Sequence, residues 1–312
     1  IAHGMLWLLF VSRAIAGFTG GNLAIALSSF ADISTDEGSK ARNFGLVGMA
    51  YALGLILGPY IGGKLADPNV VAWFNPTVPF WFAAIFAGLN VLFFLILFKE
   101  TLINRTHTPV SLLTGTKNII RAFGIPNLRT MFIVIFLLTL GFNFFVQSFQ
   151  VFLVEKFHFN EGQIGDLFAY TALWVAFSQG ILTRPLTRRM KPAKLLAYAA
   201  FFAAFMFPIL TFPNSVILLY ALLPFLAIFQ GLIVPNSTAV ISELATQEAQ
   251  GEILGINQSV QCLGMIIPPL ISGEILAAHV DLPMHVAGIL TLIAWIVLVM
   301  RFRPQHEEAF KG

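Results

Sequence analysis

Long apolar runs are the feature that most constrains how this chain can fold. A helix needs about 20 mostly apolar residues to cross the hydrocarbon core of a bilayer, and nine stretches of the sequence meet that requirement. They lie roughly at residues 5–30, 43–66, 79–98, 130–154, 163–183, 194–212, 215–236, 254–278 and 284–302. A membrane barrel is excluded because its strands alternate apolar and polar residues, which these runs do not. The sequence therefore predicts an all-α membrane protein.

The composition agrees with a lipid environment and excludes several function classes. Hydrophobic residues make up 57% and charged residues 11% of the chain, an apolar excess that no water-soluble domain needs. The spans hold no cluster of His, Asp or Glu that could carry catalysis, and the sequence has no phosphate-binding loop of the form GxxxxGKS or GxxxxGKT. We therefore expect that the protein is not an enzyme and uses neither a metal nor a cofactor.

The basic residues fall mostly on one side of the predicted membrane. If the nine spans alternate in direction, 15 of the 18 Lys and Arg residues lie in connectors of one side, which the positive-inside rule makes cytoplasmic. We expect a multi-pass protein of the inner (plasma) membrane with its linker and C-terminus in the cytoplasm. The basic residues are spread over four connectors rather than gathered with aromatic residues, so no nucleic-acid partner is expected.

An internal repeat indicates the architecture. The segment LGLILGPYIGG at residues 53–63 returns 210 residues later as LGMIIPPLISG at residues 263–273. Spans one to three therefore match spans seven to nine, whereas spans four to six have no upstream counterpart. By symmetry we expect three further spans before Ile1, giving twelve spans in two six-helix halves, which is an arrangement of secondary transporters.

This symmetry divides the chain into four parts. Residues 1–98 are predicted to be the last three helices of an N-terminal half, and residues 129–303 a six-helix C-terminal half. Residues 99–128 are a predicted cytoplasmic linker, whose apolar residues beside basic ones are compatible with a short amphipathic helix on the membrane surface. Residues 304–312 form a predicted cytoplasmic tail.

Two glycine motifs carry a resemblance to a known family. The stretch RAIAGFTGG at residues 13–21 resembles the RxxxGxxGG signature of the fourth helix of major facilitator superfamily transporters. The stretch GLILGPYIGG at residues 54–63 resembles the GxxxGPxxGG antiporter motif of their fifth helix. Three further segments, ADISTDEGSKARNFG, KETL and EAQGEILGINQS, are similar to the tetracycline and multidrug efflux branch. The resemblance covers essentially the whole chain and implies a major facilitator fold with helices four to twelve, nine of an expected twelve.

The resemblance implies a role in proton coupling for Arg13. A guanidinium inside a span is costly and is tolerated mainly toward a protein interior or a water-filled cavity, and antiporters of this branch use the corresponding arginine in coupling. A structural ion pair or snorkelling at a helix end is the alternative. No acidic residue lies deep in any span, so Asp166 and Glu155, near the outer ends of theirs, are weaker candidates for its carboxylate partner.

The glycine-rich stretch of span two is the predicted gating motif. Gly54, Gly58 and Gly62 recur at i, i+4 and i+8 and so share one helix face, which permits close backbone approach. Pro59 removes an internal hydrogen bond and bends the helix. Together with Gly63, this kinked, smooth face is expected to seal a central cavity and to part when the halves rock. Simple helix packing without gating is the alternative.

Three charged residues are candidates for an inner gate. The connector GILTRPLTRR ends in Arg188 and Arg189 and echoes a family motif, although Arg184 stands where an acidic residue is common. Asp32, at the cytoplasmic end of span one, is a candidate gate partner. Positive-inside anchoring is the alternative role of the two arginines.

Polar and aromatic residues within the spans are the candidates for substrate contact. Amides in hydrocarbon need partners, so we expect them to face the bundle interior. The candidates are Asn143, Gln147 and Gln150 on one helix face, Gln258 and Gln261 on another helix, Gln230 and Asn236 on a third, and an aromatic wall of Phe142, Phe145, Tyr170 and Trp174. Hydrogen bonding between helices is the alternative for each amide.

The sequence thus predicts a secondary transporter. It would export a small apolar or amphipathic compound, such as a drug or a tetracycline-like molecule, in exchange for protons by alternating access, driven by the proton gradient. The expected partners are this small molecule, protons and the lipid bilayer, and we expect a monomer. A proton-coupled importer of a small nutrient such as a sugar is the alternative, against which the antiporter motif argues.

Overall fold

Helices make up all the secondary structure that the structure describes. The computed structural model describes residues 6–18, 29, 50, 53–54, 57–98, 117, 120–121, 123–244 and 250–302. In chain order the helices are α1 (Leu6–Phe18), α2 (57–66), α3 (Val78–Leu97), α4 (Pro126–Phe157), α5 (Glu161–Phe177), α6 (Pro192–Ile209), α7 (Val216–Leu244), α8 (Gln250–Ala278) and α9 (Leu282–Val297). The all-α prediction is confirmed for this part of the chain. The predicted tail and most of the predicted linker lie outside the described residues.

Six of the described helical segments are long and apolar enough to cross a membrane, with mean hydropathy between 1.5 and 2.4. They are Val78–Leu97, Leu128–Phe157, Pro192–Ile209, Val216–Leu244, Ile253–Ala278 and Leu282–Phe302. Helix α5 is shorter, with 17 residues, and continues through a π-helical turn at Ser178–Leu182 and one more helical turn at Thr183–Thr187. A second π-helical turn, Leu298–Phe302, follows α9.

Proline residues place several of the helix starts. Pro126 and Pro192 are the first residues of α4 and α6, where the missing N–H is not needed for an intrahelical bond. Helix α4 ends at Phe157 and is capped by His158, which has a left-handed backbone with φ of 55° and whose N–H bonds back to the carbonyl oxygens of Leu153 and Val154. This ending is usually made by glycine.

The described residues divide into two compact units. The first holds α1, α2, α3 and the opening residues of α5, 161–169, and the second holds α4, the rest of α5 and α6 to α9. No residue of α3 is buried, although its mean hydropathy is 2.4. Such a surface suits a hydrocarbon solvent rather than water.

The second unit is built around α4. This helix packs against α8 and α9, and α6 packs against α7 and α9. Small residues set these crossings: a Cβ added at Gly264 would lie 3.0 Å from Cβ of Thr139, and one added at Gly288 would lie 2.8 Å from the carbonyl oxygen of Ala204. Close backbone approach at small residues is the usual way in which membrane helices associate.

Candidate functional site

In the first unit, α2 and the opening turns of α5 meet backbone to backbone. A Cβ added at Gly63 would lie 2.6 Å from the carbonyl oxygen of Glu161 and 2.8 Å from Cα of Gly165. A Cβ added at Gly165 would lie 2.6 Å from the carbonyl oxygen of Pro59. Real Cβ atoms do not approach backbone this closely, so the contact requires glycine at both positions.

Only part of the predicted gating motif makes this contact. Pro59 and Gly63 lie in it, four residues apart on one face of α2. The row predicted from the spacing is different, because a Cβ added at Gly54, Gly58 or Gly62 would meet no described atom within 4 Å. The close approach is therefore made by the row of Pro59 and Gly63, which is offset by one residue from the predicted glycine row.

Charged side chains flank the same contact. Lys64 Nζ donates a hydrogen bond of 2.7 Å to Asp166 Oδ2, with the two side chains 33% and 40% exposed. Asp67 is buried, and its Oδ1 accepts hydrogen bonds of 2.8 Å from both the backbone N–H and the side-chain amide of Asn69. Its other oxygen lies against Gly162, where an added Cβ would be 2.3 Å away. The end of α2 is thus joined to α5 by one ion pair and by carboxylate packing on a second glycine.

The predicted coupling and inner-gate residues lie on different elements of the chain. Arg13 lies in the middle of α1 and its side chain is exposed. Arg188 and Arg189 are exposed in the turn that follows α5 and its extension. Asp32, the predicted partner at the inner gate, lies outside the described residues. Asp166, one of the two weaker candidates for the carboxylate partner of Arg13, is paired with Lys64.

In the second unit, three of the predicted amides line one cavity. It has a volume of about 130 Å³ and lies among α4, α7 and α8. Asn143, Gln230 and Gln261 contribute amide groups, one from each helix. The rest of the lining is mostly apolar: Ile135, Leu138, Thr139, Phe142, Ile233, Val234, Ser237 and Met265. The cavity thus combines apolar walls with a few convergent polar groups, which is typical of small-molecule sites.

The remaining predicted amides lie elsewhere. Gln147 and Gln150 are exposed on α4. Gln258 is exposed on α8, where its amide lies 3.7 Å from the sulfur of Cys262. Asn236 is buried, and its amide donates to the carbonyl oxygen of Leu232 on its own helix. None of these four lines the cavity.

The predicted aromatic wall separates into two clusters. Phe142 lines the cavity, and its ring is stacked with that of Phe145 at a centroid distance of 6.3 Å, while Phe145 is also buried against the rings of Phe149 and Phe207. The second cluster includes Tyr170, whose hydroxyl donates to the carbonyl oxygen of Tyr220 at 3.1 Å. The ring of Trp174 lies edge-on to Tyr170, with centroids 6.3 Å apart. Neither Tyr170 nor Trp174 lines the cavity.

The sequence did not indicate the α5 side of the α2 contact. Gly162 and Gly165 are three residues apart in the first turns of α5, and Asp166 directly follows Gly165. Small residues at this spacing share a helix face, and an acid beside them is a partner for Lys64, which directly follows the glycine motif. That combination is the signal from which the contact could have been predicted.

A comparison with protein families finds one family, whose model matches twice. A family model described as Major Facilitator Superfamily matches residues 1–269 and, in a second match, residues 131–312. Together the two matches extend over the whole chain.

Curated relatives include several bacterial resistance proteins. Tetracycline resistance protein, class G, of Vibrio anguillarum is 29% identical over 273 residues, which cover 85% of this chain and 66% of the relative. Multidrug resistance protein 1 of Bacillus subtilis is 27% identical over 97% of this chain and 75% of the relative. Tetracycline resistance protein, class C, of Escherichia coli is 27% identical over 94% of this chain and 70% of the relative. The chain thus spans between about two thirds and three quarters of these relatives.

Among solved structures, the human organic anion transporter TETRAN has the same fold. The TM-score is 0.67 at 21% sequence identity, and the match covers 93% of this chain and 70% of the other. At this identity the likeness concerns the fold alone.

Proposed function

Since this chain belongs to the major facilitator superfamily and is therefore a membrane transporter of small molecules rather than an enzyme, we propose that it exports apolar or amphipathic compounds in exchange for protons. The relatives are named for resistance to tetracycline and to multiple drugs, and efflux of such compounds is the function that best fits their names. The observation in this chain that carries the proposal is the cavity among α4, α7 and α8.

The lining of that cavity suits an amphipathic substrate. Its walls are mostly apolar side chains, and its polar residues are neutral: the amides Asn143, Gln230 and Gln261 and the hydroxyl residues Thr139 and Ser237. Amides donate and accept hydrogen bonds without attracting a charge of either sign. A volume of about 130 Å³ is smaller than the roughly 300 to 1,000 Å³ of ordinary ligand sites, so we take the cavity as one part of the substrate-binding site.

The contact of α2 with α5 is the proposed outer seal. Two glycine backbones in direct contact leave no space for a permeant molecule, and the partly exposed pair of Lys64 with Asp166 adds an attraction at one end. Exposed ion pairs contribute at most about 1 kcal/mol, so this pair holds the seal without preventing it from opening. Alternating access requires a contact that is tight but reversible.

Proton coupling is assigned in this proposal to Arg13. Its place within an apolar helix supports the assignment. An arginine in a membrane span is costly and usually faces an interior partner or a water-filled path. Each elementary charge moved across 100 mV releases about 2.3 kcal/mol. That energy is sufficient to drive uphill export without ATP.

Export from energised cells tests the proposal. The protein would be expressed from its complete gene in bacterial cells loaded with tetracycline or with a fluorescent cationic dye, with and without a protonophore. We expect export that stops when the protonophore is added. If the protein exports none of these compounds, efflux is the wrong assignment and a proton-coupled importer of a small nutrient replaces it.

Matched glutamine variants test the cavity. Gln261→Ala removes an amide that could bond to the substrate, and one hydrogen bond is worth about 0.5–1.5 kcal/mol. We therefore expect the apparent KM for an exported compound to rise by about twofold to tenfold. Gln258→Ala, on the same helix but exposed, is the control and should leave KM unchanged. Equal effects of the two substitutions would contradict the assignment of the cavity as the substrate site.

A further pair of variants tests the coupling residue. Arg13→Ala should abolish proton-driven export at equal expression, whereas Arg129→Ala, which removes an exposed arginine at the start of α4, should not. Normal export by Arg13→Ala would make Arg13 a structural residue and place the proton path elsewhere.

A further inference from the structure

A second, larger cavity lies between α6 and α9, away from the proposed substrate site. Its volume is about 380 Å³, which falls within the size range of ligand sites. It shares no lining residue with the cavity among α4, α7 and α8. The proposed transport function does not use it.

The packing of the two helices explains why the groove exists. Near one end, Gly288 of α9 brings the helices together, since an added Cβ would lie 2.8 Å from the carbonyl oxygen of Ala204. Two turns further along α9 stands Trp295, whose ring centroid is 5.0 Å from that of Phe201. A glycine allows close approach, whereas an indole holds the helices apart. The groove therefore opens at the Trp295 end, which is the end bearing the basic residues.

The groove has an apolar floor and a cationic mouth. Phe201, Phe202 and Trp295 supply aromatic surface, while Lys194 supplies an ammonium group and Tyr198 a hydroxyl group. No acidic side chain is among the lining residues in the described part of the chain. The polar groups at the mouth are thus a cation and hydrogen-bond donors, which suit an anion.

The surroundings of the mouth add positive charge. The segment 183–191, which precedes α6, contains four basic residues and no acidic ones. Arg301 is exposed in the turn that follows α9, two residues beyond the lining residue Val299. Basic pockets between helices on the cytoplasmic side are where anionic lipid headgroups bind. The positive-inside rule predicts that this side is the cytoplasmic one.

The groove is also open to the bilayer. Tyr198 is 50% exposed and Phe202 is 46% exposed, although both lie on a helix of membrane-spanning length. Aromatic side chains exposed on such a helix meet lipid rather than water. An acyl chain is the occupant that such an apolar surface accepts.

We propose that the groove between α6 and α9 binds an anionic phospholipid of the inner leaflet. The phosphate lies at Lys194 and Tyr198, and one acyl chain lies along Phe201, Phe202 and Trp295. The headgroup charge selects the lipid, and the aromatic floor holds its chain. The proposed ligand is a phospholipid rather than free phosphate, because inorganic phosphate has no apolar part that could contact the aromatic floor.

Native mass spectrometry of the purified protein, made from its complete gene, measures the binding. The probes are phosphatidylglycerol and phosphatidylcholine of the same chain length, titrated against the protein in detergent. We expect tighter retention of phosphatidylglycerol, and we expect Lys194→Gln to weaken it about fivefold, the factor for one lysine at an anionic surface. Lys117→Gln removes an exposed lysine outside the groove and should leave retention unchanged.

A second variant keeps the test independent of charge. Ala197→Phe fills the groove from its own lining and should remove one bound phosphatidylglycerol, while circular dichroism and gel filtration check that the protein is folded. The proposal is overturned if both groove variants bind like the parent, if phosphatidylcholine binds as tightly as phosphatidylglycerol, or if millimolar inorganic phosphate displaces the lipid. A dimer that Ala197→Phe dissociates would show a second copy in the groove and would equally overturn it.

Discussion

At the scale of single residues, Gly62 and Gly63 are neighbours in the sequence with opposite surroundings. A Cβ at Gly63 would meet backbone atoms of α5 at 2.6 and 2.8 Å, whereas a Cβ at Gly62 would meet no described atom within 4 Å. Backbone cannot move aside as a flexible side chain can. A methyl group at position 63 must therefore push α2 and α5 apart, and one at position 62 need not.

We predict that Gly63→Ala abolishes most transport and that Gly62→Ala leaves it near the parent level. The second substitution also favours the helix by about 0.5–1 kcal/mol, because alanine is the better helix former. Transport by cells with equal amounts of each variant in the membrane is the measurement. If both variants lose transport equally, the motif acts through all its glycines and the contact with Gly165 is not what matters.

Individual residues also show what the sequence could and could not predict. Asn143 and Gln150 are seven residues apart, a spacing that predicts one shared helix face toward the bundle interior, yet Asn143 lines a cavity and Gln150 is exposed. An amide in a helix can satisfy itself by donating to a carbonyl of the preceding turn, as Asn143 does to Thr139 and Asn236 to Leu232. Polarity within a span therefore does not by itself determine which way the side chain faces.

At the scale of helices, apolar runs predict the existence of an element better than its ends. The run predicted at 215–236 begins one residue before α7, which starts at Val216 and continues to Leu244, and the run at 130–154 lies within α4, which begins at Pro126 and ends at Phe157. Hydropathy registers only the part that crosses hydrocarbon, and helices continue into the headgroup region. The π-helical turn at Ser178–Leu182 has no signal in the apolar pattern.

That π-helical turn is fixed by its contact with α7. Ser178 is buried, and its hydroxyl donates to the carbonyl oxygen of Ile228 at 2.8 Å. A Cβ added at Gly231 would lie 2.7 Å from Cβ of Ser178 and 3.1 Å from the carbonyl oxygen of Val175. The π-helical turn and Gly231 are thus in close contact, so a larger side chain at position 231 would displace Ser178.

We predict that Gly231→Ala destabilises the folded protein by about 1–3 kcal/mol, the usual cost of overpacking. Gly255→Ala is the matched control, because a Cβ there would meet no described atom within 4 Å. The thermal midpoint of the purified protein in detergent should fall for Gly231→Ala and stay level or rise for Gly255→Ala. An unchanged midpoint for Gly231→Ala would mean that α5 and α7 can separate without cost.

At the scale of the whole molecule, the sequence predicts the fold more reliably than it predicts which glycines of the internal repeat make close helix contacts. The internal repeat matches Gly54 with Gly264 and Gly63 with Gly273. In the structure it is Gly264 and Gly63 that make close contacts, whereas Gly54 and Gly273 have no described atom within 4 Å of an added Cβ. A repeated motif therefore specifies where small residues lie along a helix, while the neighbouring helix determines which of them makes a close backbone contact.

The orientation of the whole molecule in the membrane gives the last prediction. Most basic residues fall on one side, which the positive-inside rule assigns to the cytoplasm. Thr187 and Ser215 are exposed at opposite ends of the helix α6 region, and Cys262 is the one cysteine in the sequence. In a Cys262→Ser background, a membrane-impermeant maleimide should label Ser215→Cys in intact cells and Thr187→Cys only after the membrane is permeabilised. Labelling in the reverse order would invert the topology, and with it both the inner-leaflet position of the lipid groove and the outer position of the seal between α2 and α5.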